Sequence, residues 1–161
     1  MDGRDLTVWL QEAIAESGDK PVLLLGDVAS CLHGADITRV MHPAPDDVLA
    51  GAGRRFELAV VVGVLEGLGR EPGGALLAAL RDLAARRLLV AVPASPAQER
   101  YRSVWTRDDM LAHGLDALGH ARYEAQTLAV YGFDINQYKR TPDWLNARGW
   151  ANPENWGKYR W

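Results

Sequence analysis

Hydrophobic positions along the chain follow two alternating periods. Leu6, Trp9, Leu10, Ala13 and Ile14 recur at i, i+3, i+4, i+7 and i+8, which is one face of an amphipathic helix. Asp5 before it offers a side-chain cap, and Gly18 offers a stop. The pattern then becomes continuous in VLLL, residues 22–25, a run of the kind found in strands buried on both faces of a parallel sheet. A second strand-like run, ITRVMH, spans 37–42 and is closed by Pro43. Residues 46–52 suit a short helix. FELAVVVGVL, residues 56–65, is the strongest strand signal, being β-branched and uninterrupted. Leu76, Leu77, Leu80, Leu83 and Ala84 mark one stripe of a helix that follows Gly73 and Gly74. Leu88 to Val92 reads as another buried strand, ended by Pro93. Thr106 with Asp109 three residues on predicts a helix N-cap, with the helix running from Met110 to Leu118. Residues 121–135 are strand-like again, as one or two antiparallel strands.

Helices alternating with apolar strands predict an α/β domain over 1–135 with a mostly parallel sheet. At 161 residues, with 48% hydrophobic and 24% charged positions, one domain with a real core is expected. The net charge of −3 exerts no general pull towards nucleic acid or an anionic membrane. The N-terminus opens with acids and has no basic stretch before an apolar core, so it does not read as a signal peptide. The apolar runs are far short of the ~20 residues of a membrane span. The one cysteine, Cys31, suits a reducing compartment. A cytoplasmic protein is expected.

Residues 56–93 resemble the fourth strand, following helix and fifth strand of class I S-adenosylmethionine-dependent methyltransferases. That family carries a strand ending in a phrase like VLEHL, then a helix, then a strand ending in Val-Pro. Val64, Leu65, Glu66 and Leu68 match the phrase, and Gly67 replaces its histidine. Residues 105–119 look like the family's penultimate helix, and the strand-like run after them fits its closing antiparallel strands. The resemblance implies a small Rossmann-like fold with an S-adenosylmethionine site at the end of the first strand. Gly26, Asp27, His42 and Val64 are the residues it places beside that cofactor.

This sequence departs from the family where the cofactor should bind. The family's first strand ends in an acid followed by three alternate glycines, which bring the backbone close to the ligand. Here Gly26 keeps the first glycine, Leu24 stands at the acid, and Val28 and Ser30 stand at the other two. A β-branched valine suits a positive-φ turn poorly. The second strand ends in His42 where an acid would hold the ribose hydroxyls. Eight residues, 29–36, join the two strands, and a crossover with a helix needs roughly 10–12. Eight extended residues reach about 27 Å at ~3.4 Å each, enough to recross without a helix. The short gap before Phe56 implies that one further strand and helix of the family are missing. These departures predict a degenerate cofactor site and a non-catalytic binding or scaffolding protein, with no cofactor. The alternative is a minimal S-adenosylmethionine-dependent methyltransferase.

Other candidate sites compete with plainer readings. Cys31 and His33 could form a nucleophile pair, but a lone cysteine after a buried strand is usually a small core residue. His113 and His120 lack metal-ligand spacing. Glu66 could be a catalytic acid at a strand end or the cap of the next turn. Asp108 and Asp109 read as favourable charge at a helix N-terminus.

Residues 136–161 form a distinct tail with turn residues and no clean period. From Gln137 it holds five basic and two acidic residues, net +3. Trp144, Trp150, Trp156 and Trp161 recur at five or six, a spacing suited to an irregular wrap with repeated anchors. The tail is similar to that of an uncharacterised bacterial family of unknown function. Four exposed tryptophans would be costly, so the tail is expected to pack on its own domain. Interface anchoring, to a protein partner or a second copy, is the next reading. The weaker alternative is nucleic-acid binding by aromatics interleaved with basic residues.

Overall fold

The structure is a computed structural model that describes residues 3–26, 32, 40–41, 44–49, 55–95 and 99–137. Among these residues seven strands form one mixed sheet flanked by helices. They are β1 (Arg4–Asp5), β2 (Val22–Leu25), β3 (Val40–Met41), β4 (Phe56–Val62), β5 (Ala85–Pro93), β6 (Asp116–Tyr123) and β7 (Gln126–Asp134). Their order is β1-β6-β7-β5-β4-β2-β3. The pairs β2–β3, β2–β4 and β4–β5 are parallel, and β7 runs antiparallel between β5 and β6. The helices are α1 (Leu6–Glu16), α2 (Pro45–Leu49), α3 (Arg70–Ala79) and α4 (Arg107–Ala112). This is a methyltransferase-like α/β fold with a closing antiparallel hairpin, as the sequence predicts.

The continuous apolar strands are buried on both sides because a helical layer covers each face. Leu23, Leu25, Ala59, Val61, Val90 and Val92 face one side and pack with Leu76, Leu77 and Leu80 of the α3 region, Trp105, and Met110 of α4. Val22, Leu24, Leu58, Val60, Val62, Leu89 and Ala91 face the other and pack under Leu6, Leu10, Ala13 and Ile14 of α1. The predicted caps are present: Thr7 N donates to the Asp5 carboxylate at 2.8 Å, and Thr106 and Asp109 form a reciprocal capping box at α4.

Several boundaries differ from the pattern-based expectation. The β4 strand stops at Val62, because Gly63 turns to φ +71 and a 3-10 turn follows at Leu65–Gly67. Helix α3 begins at Arg70 and contains Gly73 and Gly74. It ends in a π-helical turn, Leu80–Ala84. That wider turn keeps Leu80 in the core and swings Leu83 out to 69% exposure, off the expected stripe. Helix α4 is shorter than expected, and residues 116–118 open β6 instead. The two-residue strand β1 was not legible. It pairs with β6, and the Arg122 side chain donates to Gly3 O at 3.0 Å.

Candidate functional site

In open α/β sheets ligands sit beyond the carboxyl ends of the strands, where the order reverses. Here the reversal falls between β2 and β4, which brings together Gly26 and the turn at Gly63–Val64. Gly26 has φ +110, and a Cβ on it would lie 1.8 Å from Val62 O and 3.3 Å from the Val64 side chain. The glycine is therefore required by close packing of β2 on β4, whatever else it does. Leu24, at the position of the family's acid, is buried in the apolar layer under α1. Val64 is half-buried against the opposite core. Asp27, Val28, Ser30, Cys31, His33, His42 and the tail anchors Trp144, Trp150, Trp156 and Trp161 lie outside the described residues.

One strand over, the carboxyl end of β4 opens onto a cleft of about 430 Å³, lined in part by Glu66, Arg100, Tyr101, Tyr123, Glu124 and Gln126. Val62 and Leu128 supply its apolar floor. The 3-10 turn positions Glu66. The loop carrying Arg100 and Tyr101 is tied to that turn from the other side. Arg102 N donates to the Glu66 carbonyl at 2.8 Å. The Ser103 hydroxyl reaches Leu68 O at 2.7 Å, and Trp105 Nε1 donates to Leu65 O at 3.1 Å. Ser103 and Trp105 are buried, so these bonds are sheltered from water. The β6–β7 turn closes the cleft, with Glu124 at φ 52.

The Glu66 backbone carbonyl ties the two loops together by accepting from Arg102 N and Ser103 N. Glu66 Oε2 is buried and has no hydrogen-bond partner among the described residues. Burial pushes its carboxyl above the ordinary range. Its own backbone N–H and the charge of Arg100 oppose that shift. Arg100 lies over the Tyr101 ring, 5.3 Å from its centre. Tyr101 Oη donates to Gln126 at 3.4 Å. The sequence reading named Glu66 but missed Arg100, Tyr101, Tyr123 and Gln126. Arg100 and Tyr101 had one signal, the basic and aromatic stretch RYR, residues 100–102, within the loop after β5.

Two other candidates, Asp109 and His113, have structural roles. Asp109 pairs with Arg70 and accepts from the Thr106 backbone N–H, which lowers its pKa to about 2. Arg70 also lies over the Trp105 ring, 5.5 Å from its centre. His113 lies 6.0 Å from the Trp105 ring, and its carbonyl accepts from Arg81 at 2.5 Å. Among the described residues no three His, Cys, Asp or Glu side chains are grouped to hold a metal, and no helix is long and apolar enough to cross a membrane.

Solved structures share this fold. Magnesium protoporphyrin IX methyltransferase from Synechocystis PCC 6803, solved with bound S-adenosylmethionine, aligns with TM-score 0.54 and 14% identity over 79% of this chain and 76% of its own. The glycopeptide N-methyltransferase MtfA, complexed with S-adenosylhomocysteine, aligns with TM-score 0.52 and 13% identity over 81% of this chain and 90% of its own. TehB from Haemophilus influenzae aligns with TM-score 0.51 and 10% identity over 75% of this chain and 59% of its own. At these identities the likeness is one of fold. No protein of curated function matches the sequence. A family model does match, across residues 4–161, so the chain belongs to the family of unknown function DUF6231.

Proposed function

We propose that this protein is a methyltransferase-like module that binds a small polar ligand at the Glu66 cleft and does not transfer methyl groups. The observation that carries this reading is the contrast between two adjacent strand ends. At β2 the position of the family's acid is Leu24, sealed in the core. At β4 Glu66 lines an open cleft, and its Oε2 is buried without a partner among the described residues. Unpaired buried polar groups cost stability, and such groups commonly mark binding sites. No cofactor is needed for this role.

The second reading is an S-adenosylmethionine-dependent methyltransferase. It draws support from the neighbours solved with S-adenosylmethionine or S-adenosylhomocysteine and from the left-handed Gly26 at the end of β2. In that case Gly26, Asp27, His42 and Val64 would contact the cofactor. Thermal-shift titration with both compounds separates the two. A ligand at 100 times its Kd stabilises by about 2.7 kcal/mol, a rise of several degrees for a chain of this size. We expect no saturable rise with either, and a saturable rise would sink the degenerate-site reading and favour the second.

The tail belongs to the same proposal as packing material. Its tryptophans cover the domain or anchor a second copy or a protein partner in the cytoplasm, and nucleic-acid binding is the weaker alternative.

A further inference from the structure

Building on the Glu66 cleft as the binding site, we propose that its ligand is a free α-amino acid, with the ammonium group held by Glu66 and the carboxylate by Arg100. The two residues line the same cleft and carry opposite charge. No direct ion pair joins them among the described residues, and Glu66 Oε2 has no partner there. A carboxylate and a guanidinium held apart over one cavity match a ligand that carries both complementary charges on neighbouring atoms.

The rest of the lining fits the same chemistry. Arg100 is stacked on Tyr101, and its one hydrogen bond among the described residues is a long one to Tyr101 Oη, at 3.4 Å. A guanidinium has five N–H donors in a planar fork suited to a carboxylate. Tyr101 and Tyr123 line the cleft beside these charges. Val62 and Leu128 offer apolar contact to a side chain. A volume of about 430 Å³ falls within the range of small-molecule sites. A simple amine would meet the like charge of Arg100. A simple acid or a phosphate would meet Glu66 and Glu124. Only the zwitterion satisfies both ends.

Backbone-amide NMR titration of the full chain tests this. The common L-α-amino acids are screened singly at millimolar concentration. For any that binds, its decarboxylated amine and its deaminated acid are titrated beside it. The expected result is saturable shifts at Glu66, Tyr101 and Gln126 from at least one amino acid, with both analogues at least tenfold weaker. Glu66→Gln and Arg100→Ala should each weaken binding at least tenfold while the spectrum remains that of the folded protein. Absence of saturable shifts from every amino acid would overturn the proposal, as would an amine that binds as well as its parent. A parallel titration with S-adenosylmethionine keeps the two readings separate. Shifts at Gly26 and the end of β2 would sink the non-catalytic reading, and the amino-acid arm would still stand or fall on its own.

Discussion

At Glu66 the fold buries a carboxyl whose Oε2 has no hydrogen-bond partner among the described residues, and the physical consequence is measurable without any ligand. Its pKa is raised by burial, so the folded state binds its proton more tightly than the unfolded chain. This group therefore costs stability as pH rises through the folded value. Glu66→Gln is expected to raise the melting temperature at pH 7, by about 2–4 °C for each kcal/mol relieved, and to abolish the gain at low pH. Melting curves of both proteins from pH 4 to 8 check this, and a lower melting temperature at pH 7 would contradict it. Gly26 presents the opposite case. A Cβ there would collide with the Val62 carbonyl oxygen and strain a left-handed residue. Gly26→Ala should lose about 2 kcal/mol or more, since backbone has to move to admit it. Urea denaturation would register that loss even in a protein that binds no cofactor.

Among the elements, α4 is the clearest test of local chemistry. Thr106 and Asp109 satisfy one another's backbone N–H groups, and Arg70 of α3 pairs with the same carboxylate. Asp109→Ala should cost about 1 kcal/mol at neutral pH through loss of the cap. The Asp109 pKa falls from 3.8 to about 2 on folding. Its stabilisation is thus complete above pH ~4 and is lost as pH falls through about 2. The gap between wild type and variant should close over that window in acid-dependent unfolding. The cap was legible because a Thr-x-x-Asp spacing carries its own geometry. The π-helical end of α3 was not. Leu83 fits the helical stripe by spacing, and only the packing of Leu80 against β4 and β5 forces the wider turn that expels it. The same limit applies to Gly73, which the pattern places before the helix. In the fold it lies inside α3 with its missing Cβ towards the Trp105 ring, where an added carbon would approach to 2.5 Å.

Over the whole molecule, the proposed packing of the tail has a direct consequence. A chain ending after Gln137 should melt lower and aggregate sooner than the full protein, because four tryptophans no longer cover apolar surface. Light scattering during a thermal ramp reads both effects. An unchanged melting temperature, with loss of salt-sensitive binding to single-stranded nucleic acid, would favour the alternative role for residues 138–161. By itself the sequence determined the α/β class, the two-sided burial of β2, β4 and β5, the closing antiparallel strands, and both side-chain caps. Each of these follows from a period or a spacing confined to neighbouring residues. The tertiary structure alone decided that Gly26 is pinned by Val62, that β1 joins the far edge, and that Glu66 shares a cleft with Arg100, Tyr101 and Gln126. Those partners come from separate loops, and no pattern along the chain encodes a meeting that the sheet order brings about.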